Sequence, residues 1–437
     1  MNKIAGLAGA LCLATVVDAH AADPQLRAEI AADYRDRLAA LFEHFHRNPE
    51  LSGKEVETSK RLAAEIRALG YEVTEGVGGN GIVAVLRNGE GPTVLLRADM
   101  DGLPVEEKSG LAYASTARQV DTSGAEQPVM HACGHDVHIT ALVGAARQLA
   151  ARKSTWSGTL VLIGQPAEER ANGARDMLAD GLYRRFPKPD YALGFHVWAT
   201  AGAGTIMVPQ TIAMSSVDSV DIVVHGVGTH GAYPHRGVDP ILVASQIVVS
   251  LQSLVSRSID PLEAGVVTVG AIHGGTRHNI IADRVDMQLT VRSDNYETRT
   301  KLLEGIERIA HGVARAHGVP EDKLPEVIVS KTDTTPPTLN DGPTAARIQS
   351  AFRETFGAAR VPLNRREGMG GEDFAYYGAP EHGVKAVFFF VGGTPEAELA
   401  NVAAHHSPLF KIAPERSITT GIEAMVVGAM SLLPKAR

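Results

Sequence analysis

The sequence predicts an α/β fold built on a mixed sheet and interrupted by an inserted ferredoxin-like α+β unit. Three observations predict it. Short apolar runs alternate with helical-period segments in the first and last parts of the chain, as expected of a sheet flanked by helices. The middle part instead orders its segments strand, helix, strand, strand, helix, strand, which is the ferredoxin-like order. The 437 residues are 44% hydrophobic and 21% charged, which suits several globular domains and excludes a disordered polyelectrolyte or a membrane bundle.

The first residues read as a leader. Lys3 precedes an apolar run from Ile4 to Val17, and Ala19-His20-Ala21 follows as a small-x-small cleavage signal. Residues 1–21 are therefore expected to be a signal peptide, with the mature protein periplasmic or secreted and without a membrane anchor after cleavage. Cleavage would remove Cys12 and leave Cys133 as the single thiol. An exported lone thiol is explained if it is held as a metal-bound thiolate.

Ile30, Tyr34, Leu38, Leu41, Phe42 and Phe45 recur at helical spacing and predict a helix over Leu26–His46. A second helix is expected over Lys54–Leu69, stopped by Gly70. Strands are expected at Gly81–Leu86 and Thr93–Arg97, a helix at Val137–Arg152, and strands at Gly158–Gly164 and Ala192–Val197. The inserted unit places strands at Val217–Val224, Val266–Ile272, Val285–Val291 and Glu326–Ser330 around helices Pro240–Leu254 and Glu297–Ala316. The α/β pattern then resumes with helix Pro343–Phe356, strand Lys385–Val391 and helix Pro414–Leu433. The expected boundaries are 22–212 and 333–437 for the two parts of the α/β domain and 213–332 for the insertion.

Lys and Arg total 42 against 50 Asp and Glu, a net charge of −8. With no basic tract, nucleic acid is not an expected partner. Four segments at predicted strand ends carry metal-ligand residue types, as ligand sites in open α/β sheets favour carboxyl ends. The first holds Asp99 and Asp101, which alone reads more readily as a solvated loop with Asx-turn hydrogen bonds. The second is His131-Ala132-Cys133-Gly134-His135-Asp136, then His138; alternate positions of an extended stretch share a face. The third is Glu168-Glu169, where one carboxylate can ligate while its neighbour acts as general base on a water, or where both merely start a helix. The fourth comprises His196 and the pair His405-His406, each weak taken singly.

Eight segments in order, LLRADMDGLPVEE, MHACGHDVHITALVGAA, GQPAEE, GFHVW, GTHGAYPHRGVDP, RHNIIAD, GMGGEDFAYY and HHSP, resemble the M20 family of metallopeptidases and amidohydrolases. The resemblance is to the branch hydrolysing N-acyl amino acids, hippurate and indoleacetyl amino acids, and runs from about Arg37 to the C-terminus. It implies a catalytic α/β domain with two divalent ions, of Zn, Mn, Co or Ni, and an inserted dimerisation (lid) domain. It implies metal ligation by Cys133 (bridging), His135, Glu169, His196 and His406, with His405 the lesser choice for the last. Glu168 falls at the general base acting on a metal-activated water, and Asp101 at an orienting aspartate behind the ligands. His131 and His138 are not implied as ligands. His230 matches a lid histidine that reaches a partner subunit's site, and Asn279, Arg292 and Gly371 match positions holding the substrate carboxylate or lining its pocket. Ala282 departs from a proline common in relatives, which touches a turn and no ligand. The implied substrate is a small N-acyl amino acid and the implied assembly a homodimer or larger homo-oligomer. An M20-type dipeptidase or carboxypeptidase, or a non-catalytic metal- or ligand-binding protein, are the alternatives.

Overall fold

The computed structural model describes residues 23–363 and 366–435. The expected leader, residues 1–21, lies outside the described residues. The first helix, Pro24–Asp33 (α1), starts where the Asp23 carboxylate accepts from the backbone of Gln25 and Leu26 at 2.9 and 3.2 Å, an N-cap followed by proline at the first turn. It continues through a wider π turn at Tyr34–Leu38 into Ala39–Arg47 (α2), so the helix expected over Leu26–His46 is continuous but locally unwound. Val56–Arg67 (α3) follows.

The sheet strands of the α/β domain are Glu72–Val77 (β1), Gly81–Asn88 (β2), Thr93–Asp99 (β3), Gly158–Gln165 (β4), Tyr191–Gly202 (β5), Ile206–Met207 (β6) and a late strand Lys385–Thr394. Their order is β1-β2-β4-β3-β5-late strand-β6. β4, β3, β5 and the late strand run parallel, while β1, β2 and β6 are antiparallel to their neighbours. β1 was not expected: as an edge strand it is largely exposed and carries little apolar signal. The inner strands are buried on both faces. Ile82, Ala84 and Leu86 of β2 enter one core, and the alternate Val83 and Val85 enter the other.

One face is covered by α1 to α3, by His135–Ala151 (α4) and by the late helices Gly342–Phe356 and Pro414–Leu432. The other is covered by the short helix Gly173–Ala179 and the turn Asp373–Gly378, through Met177, Phe374 and Tyr377.

The inserted unit comprises Ser216–His225 (β7), Pro240–Ser253 (α5), Gly265–Gly274 (β8), Arg284–Ser293 (β9), Tyr296–Ala316 (α6) and Glu326–Thr335 (β10). Its antiparallel sheet has the order β8-β9-β7-β10, the ferredoxin-like arrangement. The late α/β strand becomes β11 (Lys385–Thr394), and the two late helices α7 (Gly342–Phe356) and α8 (Pro414–Leu432). Val220, Ile222 and Val224 of β7 and Val285, Met287 and Val291 of β9 face α5 and α6, giving the insertion its own core. Ser215 donates to Asp294 at 2.7 Å, Arg292 to the Met369 carbonyl at 2.9 Å and Tyr376 to the Thr334 carbonyl at 2.7 Å, which fasten the insertion to the α/β domain.

Candidate metal centre

Because β3, β4 and β5 are parallel, their carboxyl ends lie together and bring Asp101, Glu168 and His196 to one region. α4 delivers the second segment. Gly134, with φ of +86°, turns the chain left-handed at the helix N-cap, and His135 is the first helical residue. That turn defeats the expected extended stretch with His131, Cys133 and His135 on one face. Cys133 and His135 reach the site, whereas His131 is buried outside every candidate ligand group among the described residues.

Asp101 is the hub behind the cluster. Its two carboxylate oxygens accept from the backbone N–H of Glu168 at 3.1 Å and of Glu169 at 3.0 Å, and Ser52 Oγ donates to it at 2.6 Å. His135 Nδ1 lies 3.3 Å from the same carboxylate. The Glu pair sits on a single 3-10 turn bracketed by Ala167 and Ala171, both left-handed at φ of +52° and +56°. His406, at φ of +66°, is the third non-glycine residue with positive φ among the described residues. Such backbone costs on the order of 1–3 kcal/mol per residue and persists where neighbours over-determine it. At Ala167 the neighbour is Glu55, whose buried carboxylate accepts its N–H at 2.8 Å. No residue pattern marks Glu55 for this task in the sequence.

The imidazoles sort themselves by their hydrogen bonds. His196 Nδ1 donates to the Val197 carbonyl at 2.6 Å, which leaves the Nε2 lone pair facing Cys133 Sγ at 3.3 Å. His138 has both nitrogens occupied, Nδ1 on Asp99 at 2.5 Å and Nε2 accepting from Val197 N at 2.8 Å. His405 Nε2 accepts from Ala199 N at 3.1 Å, so its Nδ1–H points to Cys133 Sγ at 3.8 Å. His406 Nε2 instead lies 3.3 Å from Glu169 Oε1. Burial pushes His405 down to about 3 and His196 well below the usual imidazole range, so both rings are neutral, the form that ligates or accepts.

Cys133, His135 and His196 form one group whose candidate ligand atoms lie within 4.8 Å of one another, and Cys133, Glu169 and His406 form another. The groups share the Cys133 sulfur. His135, Glu168 and Glu169 form a third. The chemistry fits metal ions. His135 Nε2 and Glu169 Oε1 are buried and make no hydrogen bond among the described residues, a costly state for polar atoms unless a cation completes them. Burial, then Glu169 and Glu168, hold the Cys133 thiol well above its usual range, so cation binding must release its proton. Asp99, Glu372 and Asp373 are claimed differently: all three pair with the fully buried Arg97 guanidinium at 2.6, 2.8 and 3.1 Å. Glu372 belongs to a marker segment but its part was missed. With burial it raises the Glu168 carboxyl above the ordinary carboxylate range.

Glu168, Glu169, Cys133, His196 and His406 line one cleft of about 340 Å³ together with Arg292 and Gly371. Gly371 is there by close approach, since a Cβ would meet Val217 Cγ2 at 2.3 Å across the junction with the insertion. His230 and Asn279 are elsewhere. They are exposed on the insertion, where the short antiparallel pairing of Thr229–His230 with Ile280–Ile281 brings them together and Gly231 N donates to the Asn279 carbonyl at 2.8 Å, and neither lines this chain's cleft. The expected substrate residues thus fall into two separate groups.

The description Peptidase family M20/M25/M40 matches residues 95–429. The chain belongs to this family. Hippurate hydrolase of Campylobacter jejuni is 36% identical over 79% of this chain and 86% of its own length. Thermostable carboxypeptidase 2 of Saccharolobus solfataricus is 34% identical over 86% of this chain and 91% of its own. Among solved structures, the YXEP protein of Bacillus subtilis, described as a dinuclear metal binding peptidase from the M20 family, superposes with a TM-score of 0.73 at 28% identity, covering 91% of this chain and 98% of that one. As an M20 family member the chain is a metal-dependent hydrolase with an α/β domain interrupted by an inserted α+β domain.

Proposed function

We propose that this M20 hydrolase cleaves the amide bond of N-acyl amino acids, releasing a carboxylic acid and a free amino acid. The observation that carries the reading is the pair of ligand groups sharing Cys133, with Glu168 beside them and Arg292 in the same cleft. Cys133, His135 and His196 would hold one ion and Cys133, Glu169 and His406 the other. When bound, the ions would supply Lewis acidity toward the amide carbonyl and toward the attacking water.

The chain's own residues supply the rest. Arg292 offers a guanidinium to the substrate carboxylate, which orients the amide over the cluster. Glu168 takes a proton from the attacking water and delivers it to the amide nitrogen as the C–N bond breaks. Asp101 holds Glu168 and Glu169 through their backbone N–H groups, so base and ligand keep a fixed separation. A protein that merely binds metal has no need of Glu168 beside Glu169.

His230 would act in a second copy of the chain. Its exposure, outside its own cleft, supports this, as do Ile241, Leu242 and Val249, which are exposed on α5 of the same insertion and would be covered in a homodimer. Export by the leader, to the periplasm or beyond the cell, is part of the same proposal.

The test is metal content of purified protein together with a panel of N-acetyl, N-benzoyl and indoleacetyl amino acids beside dipeptides, before and after chelation. Two ions per chain and chelator-sensitive release of amino acid from the acylated substrates are expected. Turnover confined to dipeptides would replace this reading with the peptidase one.

A further inference from the structure

Three consecutive backbone N–H groups, those of Ala167, Glu168 and Glu169, end on two buried carboxylates. Asp101 takes the second and third, and Glu55 takes the first at 2.8 Å. Glu55 is fully buried at the N-cap of α3. Its Oε1 also accepts from Gly53 N at 2.7 Å, and its Oε2 accepts from Asn80 Nδ2 at 3.2 Å. Asn80 lies in the turn between β1 and β2, so one side chain ties the start of α3, that turn and the Glu pair together. Each donor is neutral, which makes the contact a set of hydrogen bonds and not an ion pair.

The peptide that Glu55 holds is the strained one. Ala167 has φ of +52° and ψ of +41°, a left-handed conformation in which an alanine Cβ crowds the backbone. On its other side the Ala167 carbonyl accepts from Gly173 N at 3.2 Å. That approach requires glycine, since a Cβ at Gly173 would meet the Pro166 oxygen at 1.6 Å. Ala171 N donates to the Glu168 carbonyl at 2.7 Å and closes the turn. Without Glu55 the Ala167 N–H is buried and loses its acceptor, a state that favours rotation out of the left-handed region. Rotation about φ of Ala167 carries Glu168 and Glu169 together, away from Cys133 and His406. Burial, then the charge of Asp101, raises the Glu55 carboxyl to about 7. The charged form is costly here, so what the turn draws from Glu55 is an acceptor oxygen of the right reach.

We propose that Glu55 is a positioning residue of the reaction: it keeps Ala167 left-handed and thereby holds Glu168 and Glu169 in place against Cys133 and His406. Glu55 does not line the cleft and acts only through the Ala167 peptide. The inference rests on the reading above of Glu168 as base and Glu169 as ligand.

The experiment compares Glu55→Met with Glu55→Gln, with urea unfolding confirming that each variant is folded. Titration of metal-free protein with Co²⁺ against a competing chelator reads the affinity for each ion, and the acylated amino acids read kcat and KM. Glu55→Met lowers kcat about tenfold or more with KM within about threefold. It also weakens the ion of the Cys133, Glu169 and His406 group about tenfold or more, while the other ion keeps its affinity. Glu55→Gln retains an acceptor oxygen and stays within about threefold of wild type in every reading. Ala167→Gly added to Glu55→Met restores about fivefold or more in kcat and in the weakened affinity, because glycine turns left-handed unaided. Ala167→Val with Glu55 intact reproduces the losses, because a β-branched residue resists this conformation, and it decides the matter where Glu55→Met does not fold. Wild-type kcat and affinities in folded Glu55→Met, equal weakening of both ions, no rescue by glycine, or Glu55→Gln as impaired as Glu55→Met overturns the positioning role. Wild-type protein that binds both ions yet cleaves no acylated amino acid overturns the substrate reading instead, and the ion affinities then decide this inference. Wild-type protein that binds no ion overturns both.

Discussion

Glu169 Oε1 and His406 Nε2 lie 3.3 Å apart, held by two backbone turns that are both left-handed at a non-glycine residue. Ala167 aims the Glu pair on one side and His406 adopts the conformation itself on the other. Neither turn is stabilised by glycine, so the surrounding contacts must hold them. One such contact is the His406 backbone N–H donating to the Ala132 carbonyl at 2.9 Å, next to Cys133. The approach of these two residues defines one of the two ligand groups, and the first prediction concerns it.

His406→Ala removes a donor from one group and leaves Cys133, His135 and His196 intact. Metal analysis should show about one ion retained per chain, with activity lost by at least 100-fold. Cys133→Ala removes the donor common to both groups and should lose both ions. Retention of two ions in Cys133→Ala would break the assignment of the shared sulfur.

Glu168→Gln keeps the shape of the side chain and removes its proton affinity. Metal content should be unchanged and kcat should fall by about 10²–10⁴, the range for loss of a positioned general base. Near-normal turnover would take the base role from Glu168.

Arg97 is fully buried and paired with Asp99, Glu372 and Asp373 while Nε donates to Gln165 at 2.9 Å. Arg97→Met should destabilise the fold by about 3–5 kcal/mol, because it strands buried carboxylates. Urea unfolding measures this. Arg97→Lys should recover only part of the loss, since an ammonium cannot reproduce the planar fork.

His46 bridges two elements, Nδ1 to Asp136 at 2.6 Å and Nε2 to Glu107 at 3.1 Å. Burial pulls the ring toward neutrality, but these two carboxylates outweigh it and raise His46 to about 9. The folded value lies above the unfolded value of about 6.5, so the protonated ring stabilises the fold fully below pH ~6.5, and that contribution is lost as pH rises through about 9. It is on the order of 3 kcal/mol. The urea midpoint of metal-free protein should fall between pH 7 and pH 9.5, and His46→Gln should flatten that slope. A slope unchanged by His46→Gln would place the titration elsewhere.

Mixing Glu168→Ala protein with His230→Ala protein should restore activity in hybrid dimers, because one hybrid site carries both native residues. Absence of rescue under proven subunit exchange would confine His230 to its own chain.

Much of this was legible in the residues. The inner strands announce themselves as apolar runs because both faces of β2, β3 and β4 are buried. The ferredoxin-like order of the insertion follows from the same periodicities, and its sheet has the expected connectivity. Edge strand β1 escaped notice because few of its side chains are buried.

Composition and local spacing establish which side chains are available to the site: one thiol, several imidazoles and adjacent carboxylates near strand ends. They do not establish which nitrogen of which histidine is free. His138, His196 and His405 look alike in the chain, and their backbone and carboxylate partners separate them in space. Those partners come from remote segments whose contacts have no period to read. The same holds for Glu55, whose hydrogen bond with Ala167 spans 112 positions of the chain. Periodicity reports burial along one segment, whereas a binding site is a property of segments meeting, and packing alone brings them together.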